Sequence, residues 1–340
     1  MINVLVTGAG GGVGQGVIKS LKMIEGMDIR IVAADMNELA TGLYAGDIAY
    51  IVDKCNSDKY LETLSKIFKK EQIDFYIPGT DIELKFCAIN KQLIMDEFGV
   101  HTIISSQEVI EICENKYKTA SFLKNHGLNY PKTSYLKDID TVNIKYPVIL
   151  KPAVGYRSIG VYKVCNFDEL SPHLKDTKGI IMQECIGSED TEYTCTLVKI
   201  GNNLSPVLAL KRILRSGDTY RAEPIKSEKI EQYVLDVASK LEIDGGCNFQ
   251  LRLDINGEPK IFEINSRFSG TTPFCAQIGF NPVEFYLKES RGLKSTIDID
   301  YNSMVLRYWS EIVVKKSSVK KLSEDHNIEP LLEEQFNLFS

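Results

Sequence analysis

The stretch Cys247-Asn248-Phe249-Gln250-Leu251-Arg252-Leu253-Asp254-Ile255-Asn256-Gly257-Glu258-Pro259-Lys260-Ile261-Phe262-Glu263-Ile264-Asn265 decides how this chain is read. Asn256-Gly257 is a preferred pair for a two-residue type I′ turn, and apolar and polar residues alternate on both sides of it. With that turn Ile255 faces Glu258, Leu251 faces Phe262, Gln250 faces Glu263 and Asn248 faces Asn265. Phe249, Leu251, Leu253, Phe262 and Ile264 then form a core surface, because alternate residues share a face. The opposite face gathers Asn248, Gln250, Glu263 and Asn265, with facing Cβ atoms about 4.5–5.5 Å apart. A carboxylate and amide oxygens so spaced suit Mg²⁺, a hard cation that touches phosphates and keeps part of its water. A merely solvated polar face is the competing reading that the pattern leaves open.

A second hairpin lies upstream. Pro147-Val148-Ile149-Leu150-Lys151-Pro152-Ala153-Val154-Gly155-Tyr156-Arg157-Ser158-Ile159-Gly160-Val161 is an apolar strand ending on a lysine, a loop with two glycines and a serine, and a returning strand. No Gly-Lys-Ser/Thr occurs in it and no helix follows, so it is not a Walker A loop. A strand-anchored ammonium beside free N–H groups and a hydroxyl suits the phosphates of a nucleotide. A surface hairpin with an incidental lysine is the plain alternative.

Before these hairpins, strands and helices alternate. Ile2–Val6, Ile29–Ala34 and Phe75–Ile77 read as strands, and Val13–Met23 and Tyr60–Lys70 as helices, which argues a parallel, doubly wound sheet. Ligands to such sheets gather at the strands' carboxyl ends, where Gly8–Gly14, Asp35–Gly42 and Pro78–Glu83 lie. A helical pattern over Val109–His126 breaks near Glu114–Asn115. Strands are then expected at Val148–Lys151, Gly160–Val164, Gly179–Gln183, Glu192–Lys199 and Val207–Leu210. A helix at Ile230–Leu241 and a strand at Met304–Val314 complete the expectation, with a polar, helical tail.

The glycine-rich start has two readings. Thr7, Gly8, Gly12 and Gly14 fit a loose TGxxxGxG pattern, resembling NAD(P)-dependent short-chain dehydrogenases, and Asp35 ends the next strand where a ribose-binding acid would stand. Those enzymes also need a Tyr-x-x-x-Lys well into the chain, and the only such spacing here is Tyr50–Lys54, far too early. The plain alternative is a tight strand-to-helix turn.

Composition narrows the class. The 340 residues carry 40 Lys+Arg and 46 Asp+Glu, a net charge of −6, which disfavours a nucleic-acid backbone as partner. At 44% hydrophobic and 25% charged, the chain is ordinary globular material. No apolar run has the roughly 18 residues of a membrane span and no signal-peptide pattern opens the chain, so a cytoplasmic protein is expected. The eight cysteines are ten or more residues apart with no CxxC pair, which argues against a zinc or disulfide framework.

Together the two hairpins resemble the ATP-grasp superfamily, most closely one synthetase half of the carbamoyl-phosphate synthase large subunit, over residues 1 to about 290. The resemblance implies an α/β and α+β chain: a pre-ATP-grasp domain over 1–108, a small lid subdomain with a glycine-rich flap over 109–185, and a large subdomain with metal site and C-terminal tail over 186–340. It implies ATP contacts from Lys116, Lys151, Gly155, Ser158, Gly160, Gln183, Glu184, Ile186 and Glu192. Metal ligands would be Gln250, Glu263 and Asn265 for Mg²⁺ or Mn²⁺, and Arg267, Lys211 and Arg212 would stand near the transferred phosphate. Two departures stand out: Gln250 replaces a carboxylate, and Ser266 replaces the usual proline before the arginine.

The activity so implied is a carboxylate–amine ligase that works through an acyl phosphate on a small acid such as an amino acid or sugar acid. Asp35, Asp81 and Glu83 are the candidate substrate ligands. For Asp81, helix capping is an equal reading. Expected partners are a small carboxylate and an amine, without nucleic acid or membrane, and family members often form homodimers. A dehydrogenase and a non-catalytic nucleotide-binding protein are the alternatives.

Overall fold

The structure is a computed structural model and describes residues 1–141, 145–155, 159–308 and 310–328. Its first five strands are β1 (Ile2–Val6), β2 (Ile29–Asp35), β3 (Ile48–Ile51), β4 (Phe75–Ile77) and β5 (His101–Thr102). They are parallel, in the order β3-β2-β1-β4-β5, and flanked by α1 (Gly12–Lys22), α2 (Tyr60–Glu71) and α3 (Leu84–Phe98). β1 is buried along its whole length, as expected of a strand covered on both faces. The strand order reverses between β1 and β4, so the loops after these two strands flank the crevice where such sheets hold ligands. β3, β5 and α3 are additions to the sequence reading.

The helical break near residue 115 is where the chain predicts it. α4 (Gln107–Glu114) ends and α5 (Lys116–Asn125) begins with Asn115 between them, in extended geometry, its side chain accepting from the backbone N–H groups of Tyr117 and Lys118. That cap sets Lys116 at the first position of α5.

Next comes a four-stranded antiparallel sheet in the order β6-β9-β7-β8: β6 (Thr133–Tyr135), β7 (Val148–Pro152), β8 (Tyr162–Val164) and β9 (Ile180–Glu184), with α6 (Phe167–Leu170) after β8. The large antiparallel sheet follows, built from β10 (Glu192–Ile200), β11 (Asn203–Leu204), β12 (Leu208–Arg215), β13 (Asp218–Ile225), β14 (Gly245–Leu253) and β15 (Pro259–Asn265). β16 (Val305–Leu306) pairs with β13 at one edge, and β15 forms the other. α7 (Glu228–Leu241) precedes β14, and α8 (Thr272–Gln277) and α9 (Pro282–Glu289) follow β15.

Burial ties the layers together. One face of the large sheet (Cys195, Leu197, Cys247, Phe249, Leu251, Ile264) packs with Val234 and Val237 of α7. At its far end the other face contributes Val198, Leu208 and Leu210 to a core that also holds Val4, Val6 and Val17 from the first sheet and α1. Phe274, Phe280 and Val283 join that same core, so the N-terminal domain is fused to the large subdomain by continuous packing.

The tail departs from expectation. The strand expected over Met304–Val314 contracts to the two residues of β16. α10 (Lys316–Asp325) and β17 (Asn327–Ile328) instead return to the first sheet, where β17 pairs antiparallel with β3. In space these residues join the N-terminal domain, although the sequence division assigned them to the last one.

Candidate active site

The hairpin that opened the sequence reading forms, with its turn and register revised. Gly257 N–H donates to the Asp254 carbonyl and Asp254 N–H to the Glu258 carbonyl, so three residues form the loop and Gly257 takes a φ of +72°. This is the longer, bulged hairpin loop rather than the expected two-residue turn. Leu251 therefore pairs with Ile261, and the expected facing of Ile255 with Glu258 and Leu251 with Phe262 does not occur. A bulge at Phe262 then restores the register, so Gln250 faces Glu263 and Asn248 faces Asn265 as expected. The bulge also takes Phe262 out of the core surface: the Lys151 ammonium lies 5.3 Å from its ring centroid.

The polar face is densely bonded. Glu263 lies 3.8 Å from the Lys116 ammonium and accepts from the Asn265 amide at 3.3 Å. Gln250 Oε1 accepts from Arg212 Nη2 at 2.9 Å, and the same guanidinium grips buried Glu192 through Nε and Nη2 at 3.0 and 2.7 Å. Arg252 closes the network, its Nε and Nη2 reaching the other Glu192 oxygen at 2.9 and 2.7 Å. Arg252 was not singled out from the sequence, yet it stands two residues from Gln250 on the same face. The alternation that turns Gln250 toward the site therefore turns Arg252 there too. Asn248 is buried and spends its amide on Thr194 Oγ1 at 2.7 Å.

Lys211 is a correction. It neighbours Arg212 on β12, so the two point to opposite sheet faces. Arg212 joins Glu192 and Gln250, whereas Lys211 follows Ala209 on the face packed with α7.

The lysine hairpin lies over this face. Lys151 is buried near the end of β7, and burial lowers its ammonium to about 7, with nearby Glu263 opposing that fall and Lys116 adding to it. Lys116 donates to the Gly155 carbonyl at 2.9 Å, so one ammonium links the start of the flap to Glu263. Gly160 closes the flap with φ +74°, a value that side chains rarely adopt. Val154 and Ile159 are exposed. Ser158 lies outside the described residues.

At the end of β9, Glu184 is tied down by its own neighbours. Its carboxylate accepts from Lys260 at 2.9 Å and from the Lys132 N–H at 3.0 Å. Buried Gln183 donates to Thr133 Oγ1 at 2.9 Å, and the Ile186 carbonyl accepts from Arg252 at 3.4 Å.

The three N-terminal acids separate. Glu83 is buried and accepts six hydrogen bonds, from Thr7, Tyr60 and Tyr76 hydroxyls on one oxygen and from Gly79 N–H, Thr80 N–H and Thr80 Oγ1 on the other. It is the far half of a capping box with Thr80, which removes it from the substrate ligands. Burial and the Glu83 charge push the Tyr60 and Tyr76 hydroxyls well above their ordinary range, so both stay neutral donors. Asp35 is likewise spent on backbone, accepting from Gly10 N–H at 2.8 Å and Asn37 N–H at 3.1 Å. Those two bonds cap the glycine turn. Asp81 does reach the site: it holds Arg267 in a bidentate pair at 2.6 and 2.8 Å.

The glycines of the first loop serve packing. A Cβ on Gly14 would sit 2.3 Å from the Gly8 carbonyl oxygen, and one on Gly79 would sit 2.2 Å from that of Thr7. A cavity of about 640 Å³ between Leu39, Tyr44, Ile312 and Val319 lies apart and is lined by none of the predicted site residues. Among the described residues no helix is long and apolar enough to cross a membrane. No group of three or more His, Cys, Asp or Glu side chains is placed to hold a metal among them either.

Two family comparisons match this layout. Residues 113–271 match the ATP-grasp domain, and residues 4–103 match the PylC-like N-terminal domain. Among solved structures, the N5-carboxyaminoimidazole synthetase from Staphylococcus aureus complexed with ADP is 17% identical, with a TM-score of 0.70 over 89% of this chain and 80% of that one. The biotin carboxylase domain dimer of Hydrogenobacter thermophilus 2-oxoglutarate carboxylase, solved with MgADP, ADP and bicarbonate, is 19% identical, with a TM-score of 0.67 over 89% and 73%. The L-amino acid ligase from Bacillus licheniformis is 17% identical, with a TM-score of 0.65 over 84% and 73%. At these identities the likeness is one of fold.

Proposed function

We propose that this chain, whose residues 113–271 match the ATP-grasp domain and residues 4–103 the PylC-like N-terminal domain, is an ATP- and Mg²⁺-dependent carboxylate–amine ligase. The observation that carries the reading is the convergence of Lys116, Lys151 and Glu263 between the two hairpins. Two ammonium groups and one carboxylate in a buried setting suit a triphosphate held with a cation.

The donor set fits magnesium: the Glu263 carboxylate and the side-chain oxygens of Asn265 and Gln250 are hard ligands that leave room for water and phosphate. When bound there, the ion supplies charge neutralisation to the γ-phosphate. Lys151 and Lys116 would hold phosphate oxygens, and the Gly155–Gly160 flap, with Ser158, would exclude water. The hinge from Gln183 to Ile186 would receive the base, and Glu192, fixed by Arg212 and Arg252, the ribose. Arg267 would stabilise the charge that develops during transfer.

In the proposed reaction a carboxylate oxygen of the acid attacks the γ-phosphorus and ADP departs. The amine nitrogen then attacks the acyl carbon, phosphate leaves, and the nitrogen loses a proton. The acid and amine would enter beside the β4 loop and the Ser269–Thr272 segment. The test is ADP formation by the full chain from Mg·ATP across a panel of amino acids and sugar acids, each with and without amines. Turnover that requires an acid, with a product mass equal to acid plus amine less water, supports the ligase. Nicotinamide reduction, or nucleotide binding without turnover under any pairing, refutes it.

A further inference from the structure

Arg267 follows β15 by two residues, and Asp81 opens the helical turn after β4, so their pair crosses from one domain to the other. Asp81 takes one edge of the guanidinium, Nε to Oδ1 at 2.6 Å and Nη2 to Oδ2 at 2.8 Å. The Phe268 carbonyl accepts from Nη1 at 3.0 Å, and Asn265 Oδ1 accepts from Nη2 at 3.4 Å. Four directions therefore fix the plane and roll of a side chain that is only 11% exposed, while Asp81 remains 42% exposed.

Asp81 is itself held. The Glu83 carboxylate accepts from the N–H groups of Gly79 and Thr80, the two residues before Asp81, and buried Tyr60, Tyr76 and Thr7 fix that carboxylate from below. The order is thus Tyr60 and Tyr76 to Glu83, Glu83 to the loop backbone, and Asp81 to Arg267. A bidentate carboxylate restricts a guanidinium far more than a single bond does.

We propose that Asp81 is a positioning residue: it acts through Arg267, holding the guanidinium where it meets the transferring phosphoryl group, and does not bind the substrate amine. This makes the N-terminal domain part of the phosphoryl-transfer machinery, and it rests on the ligase reading of Arg267. A misdirected guanidinium loses transition-state contact without loss of nucleotide affinity.

The experiment compares ADP formation from Mg·ATP, with the acid and amine found by the panel above, for wild type, Asp81→Ala, Asp81→Asn, Arg267→Ala and the double variant. Asp81→Ala is expected to lower kcat by about 10- to 100-fold with KM for ATP within about twofold. Asp81→Asn, nearly isosteric and keeping one acceptor, should fall between the two. In the Arg267→Ala background, Asp81→Ala should cost no more than about twofold further, because the two residues act as one unit. Multiplying effects, a raised KM for the amine with unchanged kcat, or unchanged or faster turnover in Asp81→Ala would overturn the proposal and leave the ligase reading standing. A wild-type chain without turnover overturns both.

Discussion

A buried ammonium group loses its hydration, which disfavours the charged form. Lys151 stands so, over Phe262, and burial lowers it from the usual lysine range to about 7. Phosphates placed beside that ammonium raise its proton affinity again. Above about pH 7 the lysine is therefore mostly neutral before nucleotide binds, and binding draws in a proton; well below pH 7 the lysine is already charged and binding takes up none. Calorimetric titration of MgADP in buffers of different ionisation heat should detect close to one proton taken up near pH 8.5. Uptake should vanish in Lys151→Met. Uptake that persists in that variant would assign the proton to another group.

Elements show where the sequence was legible and where it was not. The polar half of the 247–265 hairpin was readable because alternation and burial point the same way there: Gln250 faces Glu263 as expected. The turn was not, because Asn-Gly serves both two-residue and longer loops, and the Phe262 bulge has no local signature. The two departures cancel in register, which is why the polar pairs survived and Phe262 did not. Glu83 was legible as a cap, since Thr80-Asp81-Ile82-Glu83 is itself a capping-box sequence. The Asp81–Arg267 and Glu192–Arg252 pairs join residues 186 and 60 apart and carry no local pattern at all.

The glycine loop separates packing from cofactor binding at this same scale. Gly14→Ala would drive a Cβ into backbone at 2.3 Å, whereas a Cβ on Gly12 meets nothing within 4 Å. Chemical denaturation should show Gly14→Ala less stable by about 2 kcal/mol or more. Gly12→Ala should be neutral or slightly stabilising. Equal losses in both would contradict a packing role for the motif.

At the scale of the whole molecule, one core joins the first sheet to α8 and α9, and the loop after β4 reaches the residues that follow β15. That common core lets Asp81, in one domain, hold Arg267 in the other at bonding distance. The tail strand β17 closes the far edge of the first sheet. None of this long-range docking is written in periodicity, which reports only which face of an element is apolar. The most direct test of the account is calorimetric binding of ADP, with and without Mg²⁺, to wild type, Lys151→Ala and Glu263→Gln. One nucleotide per chain is predicted, with affinity lowered at least about tenfold by either change and the Mg²⁺ dependence lost in Glu263→Gln. Wild-type affinity in both variants would mean that the two hairpins do not share a nucleotide, and would contradict the account.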